Sequence, residues 1–198
     1  SGRTFATASN MDNRNMVYEV SGNTATRILS YGIERPTLRV DGDKIFAGGP
    51  SPAAWSSFLV AEYADGSWST AAAIGARLSD YWVKDGNIVV VCGNNTIWQG
   101  TADGGTEAPL YPQRGLILNA VQIDDAVYTI GIGAHRYQDG TWTNLDKEYT
   151  TVKYGYGIYG RQHNDIYAVG DNMVLHYDGR SWQWVNSGLQ ETLYSVFV

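Results

Sequence analysis

Three turns constrain this chain more than any other feature. Asp65-Gly66-Ser67-Trp68, Asp139-Gly140-Thr141-Trp142 and Asp178-Gly179-Arg180-Ser181-Trp182 each follow a short apolar segment that ends at a tyrosine: Tyr63, Tyr137 or Tyr177. Asp103-Gly104-Gly105-Thr106 fills the gap between the first two, so the Asp-Gly positions are spaced by 38, 36 and 39 residues. Ser21-Gly22-Asn23-Thr24, 44 residues upstream of Asp65, is a degenerate fifth member. A second series interleaves with the first at Asp41-Gly42, Asp85-Gly86, Asp124-Asp125 and Asn164-Asp165, each followed by a β-branched or aromatic run. Glycine accepts the positive φ that a tight primed turn demands, so Asp-Gly between such runs marks a hairpin. Each period of about 40 residues therefore holds two hairpins, or four strands. No window has the apolar spacing of a long amphipathic helix.

Four-stranded antiparallel units at this period are the signature of β-propeller blades. With strands A to D counted outward from the axis, a second blade runs from Ile33 to Gly75, a third from Ala76 to Gly115, a fourth from Leu116 to Thr150 and a fifth from Thr151 to Gly188. Residues 3–29 supply only B, C and D strands, whereas Leu193-Tyr194-Ser195-Val196-Phe197-Val198 reads as a lone A strand. Joining the two would complete the first blade and remove open sheet edges. The expectation is an all-β, five-bladed propeller spanning residues 1–198 as a single domain, its ring closed by the C-terminal strand.

Composition narrows the class further. With 43% hydrophobic and 17% charged residues, the chain has the buried area that offsets ordering entropy and is not disordered. A formal net charge of −6 opposes a nucleic-acid or anionic-membrane role, which needs clustered cations. No stretch reaches the roughly 20 apolar residues of a membrane span. Cys92 stands alone in an apolar run, which excludes an internal disulfide and reads as a small buried hydrophobe. Few lysines and many Asn, Gly, Tyr and Trp lean toward an extracytoplasmic setting, secreted, periplasmic or surface-associated.

The stretch from Asn164 to Trp182, Asn-Asp-Ile-Tyr-Ala-Val-Gly-Asp-Asn-Met-Val-Leu-His-Tyr-Asp-Gly-Arg-Ser-Trp, resembles a blade type of bacterial secreted or surface β-propeller proteins. The five-blade count is also similar to that of tachylectin-type lectins and arabinanase-like glycosidases. The resemblance implies the fold and an extracytoplasmic setting. It transfers no site residue, because neither group's functional motif is matched here.

Function is expected where the repeat fails to repeat, since loops on a rigid scaffold carry specificity. The A–B and C–D turns are short and uniform, while the B–C and D–A connections on the opposite face are long and varied. Aligning the D–A connections places Arg35, Arg77, Arg114, Lys153 and Gln190 just before successive inner strands, where four cations would focus field on an anion at the channel mouth. Tyr31, Trp55, Tyr81, Tyr111, Tyr149, Tyr154, Tyr156 and Tyr194 are expected on or near the same face, and aromatics beside arginine are the residue mix of binding hot spots. The candidate ligand contacts are thus Arg35, Trp55, Arg77, Tyr81, Arg114, Lys153 and Tyr154.

The Asp-Gly-x-Trp tryptophans fit half-buried seams between blades better than repeated sugar sites, and their aspartates fit bonds to their own turns better than a metal. A hydrolase would need converging carboxylates, for which Glu34, Asp80 and Glu191 are the candidates. His135 and His176 fall on C strands and His163 beside a turn, in no zinc-ligand spacing. The expected function is a non-enzymatic, monomeric recognition module for a protein or glycan, with no cofactor, metal, nucleic acid or membrane span. The alternatives are a glycan-active hydrolase and a multivalent lectin.

Overall fold

The computed structural model describes residues 4–9, 15–29, 33, 36–51, 54–75, 78–92, 96–109, 116–145, 154–185 and 188–198. Every described element of regular structure is a strand, and all of the sheets are antiparallel meanders. The first sheet has three strands, β1 (Thr4–Ser9), β2 (Asn15–Ser21) and β3 (Thr24–Leu29). The next holds β4 (Thr37–Asp41), β5 (Lys44–Ser51), β6 (Ala54–Ala64) and β7 (Ser67–Ile74) in that order. Then come β8 (Leu78–Lys84), β9 (Asn87–Cys92), β10 (Thr96–Thr101) and β11 (Gly104–Pro109). A fourth sheet contains β12 (Ile117–Ile123), β13 (Ala126–Gly131), β14 (Gly133–Gln138) and β15 (Thr141–Asn144). The last contains β16 (Gly155–Gln162), β17 (Asp165–Gly170), β18 (Met173–Tyr177) and β19 (Trp182–Trp184). The chain divides into two compact units, residues 1–90 with 98–106 and residues 91–97 with 107–198.

The hairpins follow from the turn chemistry. Asp65, Asp85, Asp124 and Asp139 all take positive φ, and Gly66, Gly86 and Gly140 continue three of those turns in the same region. Across three of the C–D hairpins the tyrosine faces the tryptophan of the repeat: Tyr63 pairs with Trp68, Tyr137 with Trp142 and Tyr177 with Trp182. Their ring centroids lie 5.1, 5.1 and 5.2 Å apart. The repeat is therefore a cross-strand aromatic clasp that also fixes register. In the first unit Trp68 donates its indole N–H to Ile28 O at 2.8 Å, binding the second sheet to the first. That is the seam expected of it. Asp178 accepts the backbone N–H groups of Arg180 and Ser181 at 2.8 and 2.9 Å, again the local role expected, and these bonds hold its carboxyl below the usual range.

The second strand of each four-stranded sheet forms the core. β13 is buried at every position, and β9 from Ile88 to Cys92, which places Cys92 among apolar neighbours as expected. By contrast β1 is exposed at Thr4 and from Ala6 to Ala8. The segment 193–198, expected to supply the first sheet's fourth strand, belongs to no assigned strand and lies against β16.

Ties between neighbouring sheets join residues about one repeat apart. In the first unit Arg39 pairs with Asp80 at 3.0 Å, and Asp41 accepts the Gly86 N–H at 2.7 Å. In the second, Asn119 donates to Tyr156 O at 3.1 Å, and the Tyr128 hydroxyl meets His163 Nδ1 at 3.0 Å. His163 Nε2 in turn lies 3.2 Å from Asp124.

Candidate functional site

The site is built by a backbone joint that recurs in the second unit. Gly131 ends β13, and the next residue, Ile132, donates its N–H to Leu116 O at 2.9 Å while bridging to Tyr154. One repeat later Gly170 ends β17, and Asp171 donates to Tyr154 O at 3.0 Å while bridging to Thr192. Glycine is required at both places, because a Cβ would strike the carbonyl of Leu116 or of Tyr154. Leu193 then donates to Gly170 O at 3.1 Å. Thr192 thus stands to the last sheet as Tyr154 stands to the one before it, and Tyr194 to Thr192 as Tyr156 to Tyr154.

This equivalence brings three tyrosines into a row. Tyr154 stacks on Tyr156 with centroids 6.3 Å apart and planes 13° from parallel, and Tyr156 meets Tyr194 at 5.2 Å and 40°. Tyr154 is 40% exposed and Tyr194 70% exposed, so the two ends of the row are open to solvent. The Asp171 carboxylate borders the row: it accepts from the Thr192 hydroxyl at 3.0 Å and from the Tyr156 hydroxyl. Desolvation first, then the Asp171 charge, raise the Tyr156 phenol above its ordinary value, so it stays protonated and donating. Farther along, Phe197 lies 4.8 Å from Tyr159, whose hydroxyl accepts from Arg161 Nε at 3.1 Å. Such a row offers flat, rigid, amphipathic contact area at low entropic cost.

Of the expected ligand contacts, Tyr154 is placed in this row. Arg35, Arg77, Arg114 and Lys153, the proposed ring of cations, lie outside the described residues, as do Tyr31, Tyr111, Tyr149 and Glu34. Trp55 falls in β6 with its side chain outside them. Tyr81 is fully buried. Its hydroxyl lies 2.7 Å from Thr37 O and 3.1 Å from Phe46 O and donates to these carbonyls, while Arg39 sits over its ring at 5.6 Å. Tyr81 is therefore a packing residue, made possible by Gly48, where a Cβ would meet the Tyr81 ring.

Among the acids, Asp80 is tied to Arg39 and to its neighbour's backbone N–H at 2.8 Å; burial raises its pKa and Arg39 opposes the rise. Glu191 is exposed and accepts from the Gln190 N–H at 3.0 Å. Asp171, Thr192, Phe197 and Arg161 carry no motif that marks them as functional in the sequence. One signal marks Asp171: it follows the terminal glycine of a B strand, in the turn to β18, where its backbone bridges to Thr192. Among the described residues no group of His, Cys, Asp and Glu is placed to hold a metal, and no helix is long and apolar enough to cross a membrane.

No family model matches the chain, and no curated protein matches it. Solved structures do. The computationally designed Ika8 protein aligns at a TM-score of 0.72 with 11% identity, covering 100% of this chain and 63% of that one. The WD40 β-propeller domain of Doa1 aligns at 0.59 with 8% identity over 94% of this chain and 63% of that one. The extracellular domain of BT4673 from B. thetaiotaomicron aligns at 0.60 with 14% identity over 98% of this chain and 29% of that one. The chain thus spans less than two thirds of each of these structures. Together with the five antiparallel sheets, these likenesses define the class: the chain has the β-propeller fold, in five blades.

Proposed function

We propose that residues 1–198 act as one monomeric recognition domain that binds a protein or glycan ligand on the face carrying the D–A connections, without catalysis and outside the cytoplasm. The observation that carries this reading is the exposed row of Tyr154, Tyr156 and Tyr194 beside Asp171. An open aromatic row on a rigid sheet is costly to leave in water and is the kind of surface that binding covers. Two similar structures support it. One, YCF48, is similar over 87% of this chain at a TM-score of 0.60 and was solved bound to a D1 peptide; the other is the extracellular BT4673 domain.

The test is to screen the full chain and its Tyr154→Ala and Tyr194→Ala variants against a glycan array and a peptide display library, with size-exclusion chromatography to read the mass. Binding that falls at least tenfold in either variant supports the reading. Ligands that bind wild type and both variants equally would move the site elsewhere.

A further inference from the structure

We infer that the tyrosine row and Asp171 together seat a cationic group, an alkylammonium or guanidinium carried by a peptide partner, and not an anion. This deepens the recognition reading and rests on it. Three observations converge. First, Tyr154 and Tyr194 are solvent-exposed, and a phenol ring's face is the negative side of its quadrupole, which attracts a cation within about 6 Å. Second, Asp171 borders those rings as a carboxylate that accepts from the hydroxyls of Thr192 and Tyr156, and among the described residues it forms no ion pair. A carboxylate has about four acceptor positions, so it keeps room for one more donor.

Third, the same strand shows what a satisfied row looks like. Arg161 lies 6.0 Å from the centroid of Tyr159, next to Phe197, so that end is served by the chain's own guanidinium. Among the described residues no Lys or Arg is placed over Tyr154, Tyr156 or Tyr194. The exposed Glu191 beside Thr192 and the chain's net charge of −6 favour the same sign of ligand. A lone cation on solvent-exposed rings binds weakly, which is why the group is assigned to a peptide that makes further contacts.

The experiment titrates the isotopically labelled full chain with three probes and follows the backbone amides of Asp171, Leu193 and Gly155 by NMR. The probes are choline, its neutral isostere 3,3-dimethylbutan-1-ol, and inorganic phosphate. Choline is expected to bind at least fivefold more tightly than the alcohol, and phosphate to leave these amides unmoved. Asp171→Asn and Tyr194→Leu should each weaken choline at least threefold, while Asp171→Asn leaves the alcohol within twofold. Equal binding of choline and the alcohol, no choline binding, or phosphate binding at the row would each overturn the inference. If a glycan or peptide found by screening depends on Tyr194 while choline does not bind, the cation fails and the recognition reading survives. If nothing touches the row, both fail.

Discussion

Trp68 reaches back 40 positions to give its indole N–H to the carbonyl of Ile28. Trp142 holds the corresponding place two sheets further on, in the second unit, yet among the described residues its buried indole nitrogen has no hydrogen-bond partner. Replacing either by phenylalanine keeps an aromatic clasp against the facing tyrosine, but only Trp68→Phe strands a carbonyl. Trp68→Phe should lower unfolding free energy by about 1–2 kcal/mol more than Trp142→Phe, measured by urea denaturation. Equal losses would mean that the Ile28 bond contributes nothing net.

Tyr81 and Gly48 form a lock-and-key pair in the first unit. Tyr81→Phe removes the donor shared by Thr37 O and Phe46 O and should cost about 1–3 kcal/mol. Gly48→Ala places a methyl against the ring and should cost about 1–3 kcal/mol through overpacking. Because both act on one contact, a Gly48→Ala, Tyr81→Leu double variant should lose less than the two single changes together, which a double-mutant cycle reads directly.

His135 is buried beside Trp142, with centroids 6.3 Å apart and rings edge to face, and burial lowers its pKa below the ordinary value near 6.5. The unfolded chain therefore binds a proton at mildly acid pH that the folded chain refuses. Stability from this residue is complete above about pH 6.5 and is lost as pH falls toward the depressed folded value. A His135→Gln variant should show a shallower fall in urea midpoint between pH 7.5 and 5.5 than wild type. Parallel pH profiles would remove His135 as the cause.

The C-terminal segment is held by the Leu193–Gly170 hydrogen bond, the Thr192–Asp171 bond and the ring contacts of Tyr194 and Phe197. Deleting residues 192–198 should lower stability by about 2–4 kcal/mol, far beyond the effect of removing an exposed tail. Gly157 lies under this segment, where a Cβ would stand 2.9 Å from Ser195 Cα and from Tyr194 O. Gly157→Ala should therefore destabilise the full chain more than the truncated one. A truncated chain with an unchanged melting temperature would show the segment to be an adjunct.

Much of the fold was legible because hairpin chemistry is local. Asp65, Asp85, Asp124 and Asp139 sit at positive φ where their dipeptides predicted turns, and the Tyr–Trp pairs fall across the hairpins that those turns close. The site was less legible, because it depends on how one sheet is staggered against the next. Nothing near Tyr81 in sequence shows that Gly48, 33 residues earlier, leaves room for its ring. Likewise, the pairing of Tyr128 with His163 and of Arg39 with Asp80 spans a full repeat, a distance over which spacing alone gives no register. The repeat predicts Tyr154, Tyr156 and Tyr194 on or near one face together with aromatics such as Tyr81 that are buried, whereas Asp171 meets its partners through a backbone joint between neighbouring sheets.

The joints at Gly131 and Gly170 consist of peptide groups and a missing methyl, so beyond the two glycines they make almost no demand on side-chain chemistry. Sequence can drift freely around such hinges of construction without loosening them. An architecture joined through peptide groups tolerates wide change in sequence, and similar structures share its fold at 8–14% identity.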